Sequence, residues 1–462
     1  MAESPTLTFH GGAGTVTGSK YLIRTGAKQV LLDCGMFQGL KQLRLRNWNA
    51  PSFDPATIDA VLLSHAHIDH SGYLPVLARR GFRGPVYCTA GTHDLVRILL
   101  LDAAKLQEEE AATANRQGYS KHRPALPLYT TDDAERVLAL TQPRQYGQWF
   151  APTADVQAAF HPAGHILGAA SVEVRLGDTT LVFSGDLGRW NRPILHDPEI
   201  VRHADVLLVE STYGDRTHGD EPAGELARIV REAAARGGAL LIPAFAVGRA
   251  QDLVWTLRSL EDTGQIPILP VFLDSPMAID VTAIYGRHPD DHDEEMAALT
   301  EQKRRPLASR NYQLVRTPSE SRHLNDRRGP LIVISASGMA TGGRILHHLK
   351  HRLSDAKTTV LLAGFQAAGT RGRRLQEGAR ELRIHGENVP VRATIATLDG
   401  FSAHADRNEI LRWLAGFEKA PRHAYVVHGE PSAARSLATE IKARFGWNVT
   451  VAEDGATVSL GE

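Results

Sequence analysis

The sequence predicts an α/β chain of two or three domains, and three observations carry that prediction. At 462 residues the chain is too long for one ordinary core. Apolar runs ended by small-residue loops and followed by helical stretches repeat from Asp205 to Arg373, the pattern of a mostly parallel sheet. Before and after that region the runs are joined by Gly-rich turns. Four potential metal ligands, in Ser64-His65-Ala66-His67-Ile68-Asp69-His70, stand directly after one such run, Ala60–Leu63.

In chain order, Leu7–His10, Tyr21–Arg24 and Gln29–Asp33 are expected as short strands. The glycines of His10-Gly11-Gly12-Ala13-Gly14-Thr15-Val16-Thr17-Gly18 do not make a dinucleotide fingerprint. A strand follows them, where pyrophosphate binding needs a helix N-terminus; a hairpin loop near the active site is expected. Asp33 ends the third strand, as a turn cap or as an acceptor that orients a metal-binding loop from behind. Ala60–Leu63 reads as a buried strand. His65 and His67 are two apart, so both can point the same way from extended chain. Asp69 and His70 follow where the chain turns, so two metals side by side suit the motif better than one.

Residues 92–150 are expected to be mostly helical, with Glu108–Glu110 a solvated face. Lys121-His122-Arg123 beside Tyr119 and Tyr129 is either a polyanion contact or an ordinary loop. His165, in Gly164-His165-Ile166-Leu167-Gly168, and Asp186, in Ser184-Gly185-Asp186-Leu187-Gly188, each stand in a small-residue loop beside a strand, where close approach to an ion is allowed. His161 competes with His165 for the ligand role. Glu210 follows the buried strand Asp205–Val209. Then come strand–loop–helix units whose loops hold Arg249, Ser337, Arg344, Arg371 and Arg373. Loops at such strand ends carry binding sites, and these five are candidate substrate-binding residues. The acidic run Asp290–Glu295 is expected in the first turn of a helix. His404 and His428 again follow apolar strands, Ala393–Ala396 and Ala424–Val427, and the strands Val449–Ala452 and Ala456–Leu460 close the chain.

Composition narrows the chemistry. There are 21 histidines and two cysteines, so metal ligation is by imidazole and carboxylate, and a disulfide framework is excluded. Lys+Arg and Asp+Glu are 52 each, so a nucleic-acid contact must come from a local basic face. No stretch approaches membrane-spanning length and the N-terminus lacks a signal-peptide pattern, so a cytoplasmic enzyme is expected.

These motifs resemble the metallo-β-lactamase superfamily and, within it, the β-CASP ribonucleases. Asp33, residues 64–70, 164–168 and 184–188 are similar to the superfamily's four ordered motifs. Glu210 in Glu-Ser-Thr-Tyr-Gly, His404 in Phe-Ser-Ala-His-Ala-Asp and His428 in Val-His-Gly-Glu are similar to the three β-CASP motifs. Residues 336–344, Ala-Ser-Gly-Met-Ala-Thr-Gly-Gly-Arg, resemble the group related to the endonuclease subunit of the pre-mRNA 3′-end cleavage factor. The resemblance implies a four-layer αββα sandwich interrupted by an inserted β-CASP α/β domain with a parallel sheet. The expected segments are 1–209, 210–380 and 381–462.

The resemblance also implies two Zn2+ ions, with Mn2+ compatible by ligand type. His65, His67, His165 and Asp186 would hold one, and Asp69, His70, Asp186 and His428 the other. Asp69, Glu210 and His404 are the implied catalytic residues. Two adjacent cations lower the pKa of a shared water and offset charge on the scissile phosphate. His404 is the candidate proton donor to the leaving oxygen, with Glu210 holding its tautomer. Histidine rather than valine at the third β-CASP position implies RNA rather than DNA. The expected activity is endonucleolytic cleavage of single-stranded RNA. The alternatives are a 5′-to-3′ exoribonuclease, a small-molecule thioester or lactam hydrolase, and a scaffold paralogue that binds RNA without cutting it, although such paralogues lose ligands and all seven are present here. With no appended RNA-binding domain or long C-terminal extension expected, the exonuclease mode loses support. The sequence leaves a homodimer open.

Overall fold

The computed structural model describes Ser4–Gly461 except Tyr119, Asp220, Glu221, Lys303, Ala368 and the Asp399 side chain. The expectation attached to Tyr119 lies outside the described residues. The chain divides into two compact units: Met1–Arg192 with His196–Thr217 and His404–Glu462, and Pro193–Leu195 with His218–Ala403.

The first unit contains two seven-stranded sheets. One runs Thr457–Ser459, Thr6–Gly11, Lys20–Thr25, Lys28–Leu32, Ala60–Leu62, Val86–Thr89, Thr141–Arg144. The other runs Val449–Val451, His423–Val427, Val206–Glu210, Thr179–Phe183, Ala170–Leu176, Val156–Pro162, Phe150–Thr153. One hydrophobic cluster takes side chains from both sheets, including Phe9, Tyr21 and Leu62 from one and Phe160, Phe183, Leu208 and Tyr425 from the other. The sheets therefore pack face to face. Strand alternation supplies the outer layers too. Leu208 faces the other sheet, while Leu207 and Val209 pack with Ile410, Trp413 and Leu437 from the helices Arg407–Leu414 and Pro431–Phe445. Helix Ala90–Gln117 packs against Val86–Thr89 and Thr141–Arg144. The architecture is the four-layer αββα sandwich expected from the resemblance.

The second unit holds a six-stranded sheet, ordered Tyr312–Leu314, Val271–Leu273, Leu331–Ser335, Ala239–Pro243, Thr359–Ala363, Thr394–Leu398, with every ladder parallel. Both faces are covered, which is why its strands are nearly continuous apolar runs. Leu240 and Ile242 lie in one core with the helices Pro222–Arg236 and Arg249–Asp262, and Ala239 and Leu241 in another with the helix Ile345–Arg352.

Three local expectations need correction. Thr394–Leu398, expected in the closing segment, extends the parallel sheet beside Thr359–Ala363. Residues 92–150 are not all helical: Thr141–Arg144 pairs parallel with Val86–Thr89, and Phe150–Thr153 pairs with Val156–Pro162. Both are short edge strands of mostly polar or part-exposed residues, which show little apolar alternation. Glu108 is not merely solvated, since its carboxylate accepts from the Thr131 N–H (3.1 Å) and hydroxyl (2.8 Å). The acidic run ends as expected, with Asp293 capping the helix Glu294–Glu301.

Candidate metal centre

The histidine motif occupies the turn after strand Ala60–Leu62 and the short helix Ile68–Ser71. Its backbone is clamped from the neighbouring strands. Cys34 N–H donates to the His70 carbonyl (2.7 Å), Met36 N–H to that of Ile68 (2.9 Å) and Ser19 N–H to that of Asp69 (3.0 Å). Only glycine fits at position 35, because a Cβ there would lie 1.6 Å from the Asp69 carbonyl oxygen. Gly188 is constrained likewise, its Cβ position falling 2.0 Å from the Gly164 oxygen beside His165. Small residues in these loops thus let four chain segments converge.

Besides a cluster of Asp186, Glu210 and His404, the ligand atoms form two histidine-rich groups, one from His65, His67, His165 and Asp186 and one from Asp69, His70 and His428. Asp186 faces both. Its Oδ2 lies 3.4 Å from His65 Nε2 and 3.7 Å from His165 Nε2. Its Oδ1 lies 3.3 Å from His70 Nε2 and 3.3 Å from His428 Nδ1. His165 Nε2 and His67 Nδ1 are 3.1 Å apart, and His70 Nε2 and His428 Nε2 are 3.0 Å apart. His428 Nε2 is 3.5 Å from Asp69 Oδ2. Ligands about 2.0–2.1 Å from a tetrahedral zinc are about 3.3 Å from one another, so these separations suit a shared cation.

The donor set passes a second test. His65 Nε2 and Asp186 Oδ1 are buried with no hydrogen-bond partner among the described residues, an arrangement that costs free energy unless a cation takes their lone pairs. Burial pushes His65 down to about 3 and His67 to about 4, and holds His165 well below the usual imidazole range. Neutral imidazole is the form that ligates. Burial also acts against the charge on His70, but Asp186 and Asp33 outweigh it and raise its pKa. The residues present therefore fit metal binding with N/O ligation.

Behind the ligands, Asp33 is fully buried and held at φ 57°. Its carboxylate accepts from Ser64 N–H (2.7 Å) and Ser64 Oγ (2.8 Å), and lies 2.7 Å from His70 Nδ1. Ser64 Oγ is also 3.0 Å from His65 Nδ1. With Nδ1 carrying the proton in both rings, Nε2 of each is left for a metal. Ser64 was not singled out from the sequence, although it opens the quoted motif. His428, also at positive φ (46°), is anchored by its N–H to the Gly12 carbonyl (2.6 Å) and by Thr212 Oγ1 at 3.2 Å from Nδ1. The glycine-rich hairpin loop thus lies at the centre.

Glu210 and His404 adjoin the same carboxylate. His404 Nδ1 is 3.2 Å from Glu210 Oε1 and 3.9 Å from Asp186 Oδ2. Glu210 is wholly buried, accepting from the N–H groups of Leu187 (2.9 Å) and Thr212 (3.0 Å). Burial works against a charged His404, yet Glu210 and Asp186 raise its pKa. His161 is elsewhere, its ring 3.0 Å from both Glu173 and Glu199.

The five residues expected to contact substrate belong to the second unit. Arg249 is buried and donates to the Ala363 carbonyl. Arg344 pairs with Asp274 (2.7 Å) and donates to the carbonyls of Val315 (3.0 Å) and Arg316 (2.7 Å). These contacts reassign both guanidinium groups to internal support. Sequence does not separate such arginines from ligand-binding ones, because their carbonyl acceptors carry no residue signature. Arg371 donates to the carbonyls of Arg383 and Thr341, and Arg373 pairs with Glu377. Both remain exposed or part-exposed, as does Ser337, whose hydroxyl accepts from the Thr341 N–H.

Comparison with known proteins agrees with this geometry. The chain matches the Metallo-beta-lactamase superfamily over residues 13–216, the Beta-Casp domain over 250–375 and the Zn-dependent metallo-hydrolase RNA specificity domain over 388–452. It is 40% identical over 452 residues to a ribonuclease of Thermus thermophilus, covering 97% of this chain and 99% of the relative. It is 32% identical to the transcription termination factor FttA of Methanocaldococcus jannaschii, over 95% of this chain and 69% of that protein. A crystal structure of a protein of unknown function from Enterococcus faecalis shares the fold, with a TM-score of 0.54 at 13% identity over 99% of this chain and 100% of that one. The chain belongs to the β-CASP branch of the metallo-β-lactamase superfamily.

Proposed function

We propose that the protein is a metal-dependent ribonuclease that hydrolyses phosphodiester bonds of single-stranded RNA, cutting internally. The observation that supports it most is the double ligand group bridged by Asp186 with the Glu210–His404 pair beside it. The likeness to a ribonuclease over nearly the whole of both chains supports RNA as substrate. His65, His67, His165 and Asp186 would hold one Zn2+, and Asp69, His70, Asp186 and His428 the other. When bound, two such ions would supply a water of lowered pKa and positive charge against the phosphate oxygens. The chain's own groups do the rest. Glu210, fixed by two backbone N–H groups, keeps the proton of His404 on Nδ1 and favours the imidazolium. His404 Nε2 then gives its proton to the departing ribose oxygen. Ser337, Arg371 and Arg373, all within His218–Ala403, remain the candidate phosphate contacts of this reading.

The test is digestion of single-stranded RNA labelled at the 5′ or 3′ end, with 5′-phosphate and 5′-hydroxyl forms, alongside metal analysis. Internal fragments from both labels, irrespective of the 5′ group, are expected, with two zinc ions per chain. Mononucleotide release from the 5′ end alone would establish the exonuclease instead. Hydrolysis of thioesters or lactams without RNA cleavage would establish a small-molecule hydrolase.

A further inference from the structure

The segment Cys34–Phe53 takes no part in the chemistry above, yet it starts on the ligand loop through the Cys34 and Met36 hydrogen bonds. Its inner side is fastened. Asn47 exchanges two hydrogen bonds with the Phe37 backbone, 2.9 Å from the Phe37 N–H and 2.8 Å to the Phe37 carbonyl. Lys20 Nζ and the Arg46 guanidinium each lie over the Phe37 ring, 4.7 and 4.1 Å from its centroid. Arg46 in turn pairs with Asp454 at 2.8 Å. So many ties make this a built surface rather than a loose loop tip.

Its outer side is unusual for an exposed turn. Leu40, Leu45 and Trp48 are 58%, 53% and 52% exposed, and the helix Lys41–Arg46 buries no residue. Lys41 and Arg44 are exposed among them. No Asp or Glu occurs from Cys34 to Phe53. We infer that this face is a docking surface for single-stranded RNA outside the cleavage site, where a base stacks on Trp48 and phosphates meet Lys41 and Arg44. The inference rests on the ribonuclease reading. Charge selects the occupant. A second copy of the chain would set like charges against each other, whereas a polyanion is complementary. The balanced net charge of the whole chain offers RNA no general attraction, so a local basic face must supply it. An exposed indole binds any base through its π-face, which suits an enzyme that must hold a strand irrespective of sequence.

The experiment compares the wild-type protein with W48A and with K41A/R44A. Substrates are a long oligoribonucleotide of about 20 nucleotides, a short one of about 4, and bis(p-nitrophenyl) phosphate as a phosphodiester too small to reach the surface. For the long RNA, KM is expected to rise about tenfold in W48A, with kcat and the melting temperature unchanged. K41A/R44A should lower the slope of log affinity against log salt by about 1.4, roughly 0.7 for each lost cation. The short substrates should be hydrolysed as by wild type. An unchanged KM for long RNA overturns the inference. So does an equal loss on bis(p-nitrophenyl) phosphate, which would mean that the segment only supports the ligand loop. A wild-type dimer that W48A dissociates, with RNA affinity intact, assigns the face to self-association instead. If wild type hydrolyses bis(p-nitrophenyl) phosphate but no RNA, the ribonuclease reading falls and this inference with it. If wild type cuts RNA and both variants match it, only the surface falls.

Discussion

Asp186 and His404 stand 3.9 Å apart but answer to different tests. Both Asp186 oxygens face ligand groups, so Asp186→Ala should remove metal and activity together. Retention of two ions per chain in that variant, measured by elemental analysis, would sink the bridging role. His404 lies outside the two histidine-rich groups but clusters with Asp186 and Glu210, so metal content has to separate a proton donor from a ligand. His404→Ala should keep its metal and lose about 10²–10⁴ in kcat, the usual contribution of a positioned proton donor. Loss of metal in His404→Ala would make it a ligand instead. His428 carries a third expectation, since RNA should be cut much faster than DNA of the same sequence. Equal rates would remove the argument drawn from its identity. Asp186 and His428 follow apolar strands closely in small-residue loops, which marks them in the sequence, whereas His404 lies beyond the turn Asp399–Phe401 and is marked mainly by the resemblance. Ser64 and Thr212 were not singled out, because a hydroxyl that bridges two neighbours has no spacing of its own.

Strand Val156–Pro162 shows how an element can mislead and still inform. His161 at its end looked like a rival ligand, but it is clasped by Glu173 from the adjacent strand and by Glu199 from the following loop. Burial opposes its charge, yet the two carboxylates raise it to about 9. A folded-state pKa above the unfolded value of about 6.5 means stabilisation that is full below pH 6.5 and lost as pH rises through 9. Glu199 is half exposed, so solvent screening limits the effect to on the order of 2 kcal/mol. Denaturation midpoints of wild type and H161Q should therefore differ at pH 6 and converge near pH 9.5. A constant gap would reject the clasp. Element types were readable wherever burial imposed a period: the parallel units of the second sheet emerged from their apolar runs and loops. Thr141–Arg144 was missed because an edge strand with few buried side chains leaves no period to read, whereas Ala393–Ala396 was read as a strand and only its place beside Thr359–Ala363 was not.

At the scale of the whole molecule, the ligands tie together chain segments that are far apart in sequence. His65, His67, Asp69 and His70 follow a strand of one sheet of the sandwich, whereas His165, Asp186 and His428 adjoin strands of the other. Cations shared by the two sets, as proposed, would cross-link the two layers, and a ligand that binds only the folded state stabilises it by mass action. The six-stranded sheet of the second unit contributes none of these seven residues. Chelation should therefore act unevenly. With EDTA, amide exchange is expected to quicken at the strand ends around Leu62, Phe183 and Val427 and to stay unchanged in Ala239–Pro243 and Leu331–Ser335. The first unit should also melt at a lower temperature, with readdition of zinc restoring both measurements. Uniform quickening across both units would mean that the chain unfolds as one cooperative body, and no change at all would mean that the ligand atoms already satisfy one another without a metal.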